Sequence, residues 1–364
     1  MLKIKTTKLQ EMLARAVQGA SCNRLIPLST LLALEVKDGK LTITTTDKTN
    51  YLYVTEEVAG DDFYVCVSVE KFPKLIARLT CEDVELDLKD KYLEVRGNGT
   101  YQIEFQLDED GQMVVFPTPL SDMTENKVGE VKLATIKNIL TNFRPALMVK
   151  GNRPQFFNYF VGQVAGKGIL IATDTNKVSA LRTTFFTDGS SRLIMAETMN
   201  LLDTMIDDTI DIYADGNKLE FKSEHGVVFG YTPDGLQQFN ADKIVEGFIE
   251  KEYQSNCKIS KAEILQVLDR ISIFVDYLDN DVIEIAFKED GLWIKSRKDN
   301  GEEKVPYIEC NGFTEFTGIV LLERLRTQIK AQSGDSVIIH FGEQRALKMT
   351  DNDAVFITAL GSEQ

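Results

Sequence analysis

A chain of 364 residues with 43% hydrophobic content has room for two or three domains, each with its own core. The formal net charge of −15 argues against a protein that coats nucleic acid by bulk attraction, although positive charge confined to one surface remains compatible with it. No apolar run reaches the roughly 18–20 residues of a membrane span, residues 1–5 lack a secretion signal, and the five cysteines are scattered, so we expect a cytoplasmic protein with reduced thiols.

An amphipathic helix is predicted near the start of the chain, and its pattern recurs twice. In each copy the apolar residues follow a short strand at the i, i+3, i+4 and i+7 spacing of a helix with one buried face. The three sets are Ile4, Leu9, Met12, Leu13 and Ala16; Val131, Ile136, Ile139, Leu140 and Phe143; and Ile259, Ile264, Val267, Leu268 and Ile271. The first members, Ile4, Val131 and Ile259, lie 127 and 128 positions apart. The regular offset indicates an internal repeat.

Each copy continues in the same way beyond its first helix. A hairpin of alternating apolar residues follows, with the turn signal Asp38-Gly39 in the first copy and Asp290-Gly291 in the third. A second helical segment comes next, starting near Phe72, Met199 and Leu321, and then a second hairpin. The sequence therefore predicts three domains, at residues 1–122, 127–247 and 250–364, with short connectors between them.

The repeat predicts an α+β fold, in which two helices per domain pack on antiparallel sheets. Two helices can cover only one face of about eight strands, and each domain also has edge strands that are hazardous when unpaired. Three like domains can pair edge to edge, and a second chain added head to tail could close the row into a ring. A bent monomer with protected ends would satisfy the same pattern.

Basic residues recur on the predicted outer faces of the helices. They include Lys71, Lys74, Arg78, Lys137, Arg270 and Arg324. In a ring they would form a positive inner wall, whereas the alternative is that they are ordinary charges on solvated helices. The second helix of the middle domain fits a positive wall poorly, because Glu197, Asp203 and Asp207 lie in or near it.

Residues for chemistry are scarce in the sequence. His225 and His340 are the only histidines, and neither has a Cys or Asp at metal-ligand spacing. There is no glycine-rich phosphate loop, and the residues around Gly189 lack the flanking pattern of a nucleophile elbow. We therefore expect no enzymatic activity, no metal and no cofactor; an unrecognised hydrolase is the remaining enzymatic alternative.

Taken together, these features resemble the bacterial DNA polymerase III β subunit, the sliding clamp, along essentially the whole chain. The resemblance rests on three repeats in this length, on Arg24-Leu25-Ile26-Pro27 before a Leu31-Leu32 strand, and on Thr-Asp pairs at Asp47 and Asp174. It implies a head-to-tail homodimer that encircles double-stranded DNA without reading its sequence. It also implies that Arg24 and Arg153 lie in loops that contact DNA, and that the six basic residues of the helix faces contact DNA as well. For the dimer interface it implies Lys71, Leu75 and Phe105 in the first domain with Ile273 and Phe274 in the third.

The resemblance further implies a pocket between the second and third domains that binds peptides of the replicative DNA polymerase and of clamp loader subunits. Its predicted residues are Phe160, Thr173, Thr175, Asn176, Lys177, Val178, Thr317, Val320, Phe356, Thr358, Ala359 and Leu360. Here the sequence departs from the family, because Thr-Asp-Thr-Asn-Lys-Val replaces the usual Thr-Asp-Gly-His-Arg-Leu. The residues from Thr358 to Gly361 likewise replace the usual Met-Pro-(Met/Val)-Arg.

The function predicted from the sequence is that of a processivity factor. One alternative is a clamp-like paralogue, from a phage or other mobile element, that serves different partners. Another is a repeat scaffold that never touches DNA. Retention on nicked circular DNA, with loss on linearisation, separates a clamp from a scaffold.

Overall fold

The structure is a computed structural model that describes residues 1–108, 110–117, 126–275, 281–297, 301–342 and 345–361. Within these ranges it contains seven α-helices and 26 strands, and every strand pairing between them is antiparallel. The predicted α+β class is confirmed. None of the helices in this part of the chain is long and apolar enough to cross a membrane.

The helices are short. They are α1 (Thr6–Ala16), α2 (Lys71–Ile76), α3 (Leu133–Asn138), α4 (Ala196–Leu201), α5 (Ala241–Ile244), α6 (Lys261–Ile271) and α7 (Leu322–Lys330). The helices predicted at the starts of the first and third copies are present as α1 and α6. In the middle copy the α-helical part ends at Asn138, and a π-helical turn, Ile139–Phe143, follows before Pro145, which cannot continue a helix.

Strands make up most of the remaining regular structure. In the first third of the chain they are β1 (Leu2–Lys5), β2 (Leu31–Lys37), β3 (Lys40–Thr46), β4 (Tyr51–Glu57), β5 (Ala59–Gly60), β6 (Phe63–Ser68), β7 (Asp83–Leu88), β8 (Tyr92–Arg96) and β9 (Thr100–Glu104). In the middle they are β10 (Lys127–Lys132), β11 (Asn158–Val164), β12 (Lys167–Thr173), β13 (Lys177–Arg182), β14 (Arg192–Met195), β15 (Thr209–Asp215), β16 (Lys218–Ser223) and β17 (Gly226–Tyr231). In the last third they are β18 (Ser255–Ser260), β19 (Val282–Lys288), β20 (Gly291–Ser296), β21 (Glu302–Val305), β22 (Tyr307–Asn311), β23 (Phe316–Leu321), β24 (Ser336–Phe341), β25 (Ala346–Asp351) and β26 (Ala354–Ala359).

The chain packs into two compact units. The first comprises Met1–Lys137 and Glu197–Thr232, and the second comprises Asn138–Ala196 and Pro233–Gln364. All three divisions, after Lys137, Ala196 and Thr232, fall inside the predicted middle domain, because parts of that domain share sheets with different neighbours. The division into three domains stays a prediction, and the expected end of the first domain at residue 122 lies outside the described residues.

The first unit contains two sheets, ordered β5-β1-β7-β8-β9 and β10-β15-β16-β17-β4-β3-β2-β6. Helix α1 packs on α2 and against β3 and β4. One of its apolar clusters joins Leu31, Tyr51, Cys66, Phe116 and Phe229. The side chains that the sequence predicts to face inward from α1 are buried, so the amphipathic pattern has placed its helix correctly.

The second unit is organised in the same way. Its sheets are ordered β14-β11-β12-β13-β26-β25-β24-β18-β22 and β21-β20-β19-β23, and α6 packs on α7. Ser260 caps α6 by accepting a hydrogen bond from the Glu263 backbone N–H at 3.3 Å. The core includes Phe160, whose ring stacks on that of Phe239 at a centroid separation of 5.1 Å.

Two sheet joins repeat one arrangement. The meander β2-β3-β4 has two equivalents, β11-β12-β13 and β19-β20-β21. The meander β7-β8-β9 also has two equivalents, β15-β16-β17 and β24-β25-β26. In the first unit β4 pairs with β17, and in the second β13 pairs with β26. Tyr51 lies opposite Phe229, and Val178, 127 positions after Tyr51, lies opposite Ile357, 128 positions after Phe229. The register of the join is therefore the same both times, and the equivalent strands left at sheet edges are β9 and β21.

Candidate peptide cleft and DNA-contacting residues

The turn between β12 and β13 is held by the side chains of its Thr-Asp pair. The Thr173 hydroxyl accepts a hydrogen bond from the Thr175 N–H at 3.0 Å and donates one to the Lys177 carbonyl at 2.7 Å. Asp174 Oδ1 accepts from the backbone N–H groups of Asn176 and Lys177, each at 2.9 Å. Thr175 sits between them with a φ of 76°, in the left-handed region that a β-branched residue rarely occupies.

The first copy contains the same turn. The Thr46 hydroxyl donates to the Asn50 carbonyl at 2.6 Å and accepts from the Lys48 N–H at 2.8 Å. Asp47 Oδ1 accepts from the N–H groups of Thr49 and Asn50, and Lys48 has a φ of 86°. The Thr-Asp pair is thus a turn-forming motif in both places, where it satisfies backbone groups that the hairpin leaves open.

The two predicted walls of the peptide pocket lie together in the second unit. Lys177 pairs with Thr358 across β13 and β26, and the Ala359 N–H donates to the Asn176 carbonyl at 2.8 Å. Beyond the end of β26, the Gly361 N–H donates to the Ile319 carbonyl of β23 at 2.7 Å. This contact brings the segment after β26 beside β23, the strand that contains Thr317.

Only half of the predicted pocket residues have accessible side chains. Six are at most partly buried: Thr175, Asn176, Lys177, Thr317, Ala359 and Leu360. The other six are buried: Phe160, Thr173, Val178, Val320, Phe356 and Thr358. Because Phe160 stacks on Phe239 and the Phe356 ring lies 5.5 Å from that of Phe143, these aromatic side chains hold the strands in place rather than facing a ligand. Their assignment to peptide contact stays a prediction.

Beside the β12–β13 turn the surface forms a cleft of about 270 Å³. Its lining consists of Asp174, Lys177, Asp281, Leu321, Glu323, Arg324 and Thr327, and we refer to it as the Arg324 cleft. The sequence gives Lys177 a place in the pocket but assigns Arg324 to DNA contact. The structure places the Arg324 side chain in this cleft, where burial lowers the pKa of its half-buried guanidinium, and its assignment to DNA contact stays a prediction.

In the first unit, three of the predicted DNA-contacting residues are neighbours. Arg24 and Lys71 line one cavity of about 260 Å³ together with Glu70, and Lys74 Nζ lies 2.8 Å from Glu70 Oε1. The hydrogen bond from Lys74 is the main reason that the pKa of Glu70 is lowered, and the charges of Arg24 and Lys71 add to the effect. Three cations around one carboxylate leave a local excess of positive charge.

The other predicted DNA-contacting residues differ in how free their charges are. Arg78, Lys137 and Arg153 are exposed, and Arg153 lies in a loop as the sequence suggests. Arg270 is also exposed, but its guanidinium binds Glu303 through hydrogen bonds of 2.9, 3.0 and 2.6 Å. Its charge is therefore largely neutralised within the chain.

The predicted interface residues of the second unit are the most exposed apolar side chains in this set. Ile273 is 77% exposed and Phe274 is 44% exposed, just after the end of α6. In the first unit Lys71 is exposed, whereas Leu75 and Phe105 are half-buried. Exposed isoleucine and phenylalanine side chains next to each other are typical of a surface that another protein covers.

The structure gives His225 a partner that the sequence spacing does not suggest. His225 Nδ1 lies 2.7 Å from Asp207 Oδ1, and this hydrogen bond raises the pKa of the imidazole. Asp207, Glu224 and His225 have ligand atoms within 4.8 Å of one another. However, Asp207 already accepts hydrogen bonds from both the ring and the backbone of His225, and Arg15 donates to the His225 carbonyl at 2.9 Å. Asp207 and His225 therefore form an ion pair in which both carboxylate oxygens of Asp207 already accept hydrogen bonds.

His340 has the opposite environment. It is half-buried on β24, where its Nε2 lies 3.1 Å from the Thr350 hydroxyl, and burial lowers its pKa. The ring of Tyr253 lies beside it at a centroid separation of 6.4 Å. These contacts give the histidine a structural role.

One further cavity has no recognisable signal in the sequence. A groove of about 690 Å³ separates α1 from α2 and is lined by Leu13, Val17, Cys22, Pro73 and Ala77 among others. The sequence predicts both helices but not the spacing between them, so no motif could have indicated the groove.

Comparison with known structures identifies the fold. The solved DNA polymerase sliding clamp from Bacillus subtilis matches with a TM-score of 0.86 at 16% identity, over 100% of this chain and 99% of that one. The β subunit of DNA polymerase from Streptococcus pyogenes matches with a TM-score of 0.88 at 14% identity over the whole of both chains. The chain has the sliding-clamp fold. The β subunit of DNA polymerase III from Thermotoga maritima agrees, with a TM-score of 0.82 at 16% identity, over 100% of this chain and 99% of that one.

Comparison of sequences alone does not detect the similarity to these clamps. It matches no model of a known protein family and no curated protein. The resemblance inferred from the threefold pattern is therefore confirmed by the fold, and the low identity makes the chain a divergent example of it. Divergence of this size leaves the backbone intact while it changes the side chains on which partners depend.

Proposed function

We propose that this protein is a DNA sliding clamp that closes as a head-to-tail homodimer around duplex DNA. The observation that carries the proposal is the repeated join. Two sheets are joined inside the chain with one register, and the same rule leaves β9 and β21 as the pair that a second copy would complete. Two such joins between two chains would remove both open edges.

The exposed apolar residues fit this closure. Ile273 and Phe274 follow α6, which packs against β21, so they lie near the edge that the partner chain would cover. Phe105 directly follows β9 on the other side of the proposed interface. Burying these side chains would supply apolar area beside the strand pairing.

The proposed mechanism is topological. A closed ring cannot leave DNA sideways, so each contact can be weak, and a few cations touching phosphates give contacts that do not depend on sequence. We expect Arg24, Lys71, Lys74, Arg78, Lys137 and Arg153 to supply them. Arg270 contributes less, because Glu303 neutralises it. The net charge of −15 limits the attraction and favours sliding.

In this proposal the protein acts by tethering a partner to DNA and not by catalysis. A replicative polymerase held by a peptide in the pocket of the second unit stays at high effective concentration beside the primer end. A clamp loader would use the same site and would supply the energy for opening. We expect no enzymatic activity, no metal and no cofactor, and we place the protein in the cytoplasm.

The altered pocket favours a second candidate. The turn residues Thr175, Asn176 and Lys177 and the residue Leu360 differ from the usual family pattern, so a clamp paralogue with other partners is the runner-up. Peptides from the replicative polymerase of the same cell would bind the clamp and would fail to bind the paralogue.

The decisive experiment measures closure and retention together. Light scattering at low micromolar concentration should give a mass of twice 41.0 kDa. Loaded protein should remain on nicked circular DNA and should be lost when the circle is cut. A monomeric mass, or equal retention on circular and linear DNA, would contradict the proposal and would favour a scaffold.

A further inference from the structure

The Arg324 cleft contains one cation that has no partner among the residues that the structure describes. Lys177 Nζ lies 3.4 Å from Asp174 Oδ2 and is paired. Arg326, two positions along α7, pairs with Glu323 and with Asp269 at 3.2 Å, and it donates to the Leu268 carbonyl at 3.0 Å. Arg324 has neither a hydrogen bond nor an ion pair in the part of the chain that the structure describes.

Carboxylates of the cleft do not neutralise Arg324. The charge of Asp174 acts on Arg324, but the oxygens of Asp174 already serve the turn and Lys177. Glu323 is held by Arg326. Asp281 is the one lining carboxylate with no such partner among the described residues, and it too makes no ion pair with Arg324.

A half-buried guanidinium has lost part of its hydration and keeps up to five donors in a planar fork. The group that matches this fork best is a carboxylate, which can accept two parallel hydrogen bonds. At about 270 Å³ the cleft is smaller than a typical ligand pocket but can hold one side chain. Thr327 and Leu321 would contact the carbons of that side chain.

The Arg324 cleft adjoins the predicted peptide pocket. Lys177 belongs to both, and its neighbours Thr175 and Asn176 are accessible at the rim. A peptide lying along the end of β26 would therefore pass the opening of the cleft. We propose that the Arg324 cleft is a side-chain subsite that selects an aspartate or glutamate of the partner peptide, which rests on the proposed peptide-binding function.

The first experiment separates this inference from the function on which it rests. The wild-type protein is used to select nine-residue peptides from a random phage-displayed library, in parallel with the Arg324→Gln variant. We expect an acidic residue at one fixed position among peptides selected by the wild type and its disappearance with the variant. Selection of no peptide at all would count against the proposed function. Selected peptides without that acidic position, or with it in both pools, would overturn only the subsite.

The second experiment measures the contact itself. For a selected peptide, Arg324→Gln should weaken binding about 10- to 100-fold, the range expected for hydrogen bonds to charged groups. Replacing the peptide's Asp by Asn should cost the wild type as much and should cost the variant almost nothing. Arg324→Lys should recover only part of the affinity, because it keeps the charge and loses the fork.

Lys330→Gln is the matched control, since it removes the same charge from an exposed position on the same helix. It should leave peptide affinity within twofold of the wild type. If Arg324→Gln instead lowers retention on DNA and leaves peptide binding intact, Arg324 belongs to the DNA-contacting set and the subsite is excluded. Equal melting temperatures of the variants would show that the comparison is between folded proteins.

Discussion

Thr175 carries backbone strain that a glycine would relieve. A residue with a side chain costs about 1–2 kcal/mol in the left-handed region, whereas glycine costs about 0.5–1 kcal/mol in added chain entropy. We therefore expect Thr175→Gly to raise the free energy of unfolding by about 0.5–1 kcal/mol. Urea unfolding measures it, and Asn176→Gly is the control.

The control tests the cause, because Asn176 has no positive φ and gains nothing from glycine. It should lower stability by a similar amount. If both substitutions lowered stability equally, strain at Thr175 would not be the explanation.

The pKa values of the two histidines should be shifted in opposite directions. His225 has a raised pKa, so its contribution to stability is complete below pH 6.5 and is lost as the pH rises through its folded pKa. His340 has a lowered pKa, so its contribution is complete above pH 6.5 and is lost as the pH falls toward its folded pKa. NMR titration of the two imidazole resonances, assigned with His225→Gln, should give one midpoint above 6.5 and one below.

Asp207→Asn should bring the His225 midpoint back toward 6.5, because it removes the hydrogen-bonded charge that is the main cause of the shift. The His340 midpoint should not move. A His225 midpoint that is unchanged in this variant would refute the assigned cause.

At the residue scale, the sequence did not predict which of the assigned side chains are accessible to a ligand. Thr173, Phe160 and Phe356 are assigned to peptide contact from the sequence, but their side chains are buried. Alternation along a strand does not say which face a second element covers. Arg324 and Arg326 are both arginines of one amphipathic helix, and only the packing of α7 shows that Arg326 is paired whereas Arg324 has no ion pair among the described residues.

The join between β4 and β17 depends on close approach at Gly230. A Cβ there would lie 2.8 Å from Asn50 Oδ1 and 2.9 Å from Thr198 Oγ1, two buried groups that hydrogen bond each other at 2.6 Å. We expect Gly230→Ala to lower the free energy of unfolding by about 1–3 kcal/mol, the usual cost of overpacking. Urea unfolding monitored by circular dichroism gives the value.

Gly247 is the comparison for this substitution. Nothing lies within 4 Å of a Cβ at that helical position, so Gly247→Ala should be neutral or stabilising by up to about 1 kcal/mol. Similar losses at both glycines would mean that added volume at the join is not the cause.

At the element scale, the threefold pattern predicted the helices well. Periodicity placed α1, α6 and α7 because each has one continuous apolar face. The pattern could not show which strand pairs across a domain boundary. β4 and β17 are separated by about 170 positions, and nothing local in either strand encodes that pairing.

The proposed dimer can be tested at the scale of the whole molecule. Ile273→Asp places a charge on a side chain that is 77% exposed in the single chain, so folding of that chain should be unaffected. Loss of one buried isoleucine, at about 1.5–3 kcal/mol, should weaken dimerisation at least 10- to 100-fold. Sedimentation across a concentration series measures the change, and retention on nicked circles should fall with it.

Ile206→Asp serves as the control, because Ile206 is 52% exposed and lies apart from the predicted interface residues in sequence. Its dimerisation should equal that of the wild type. Dimerisation that is weakened equally by both variants, or by neither, would argue against the proposed interface.

Strand lengths suggest where such a ring would give way first. β17 and β26 have six residues each and are largely buried, whereas β9 has five residues that are mostly exposed and β21 has four. The seam between copies would hold at most four residue pairs, fewer than the five between β13 and β26 and no more than the four between β4 and β17, and no peptide linkage would restrain its two sides. A clamp loader that strains the ring at any point would open it at the interface between the subunits. Dilution would likewise separate the subunits there before any domain unfolds.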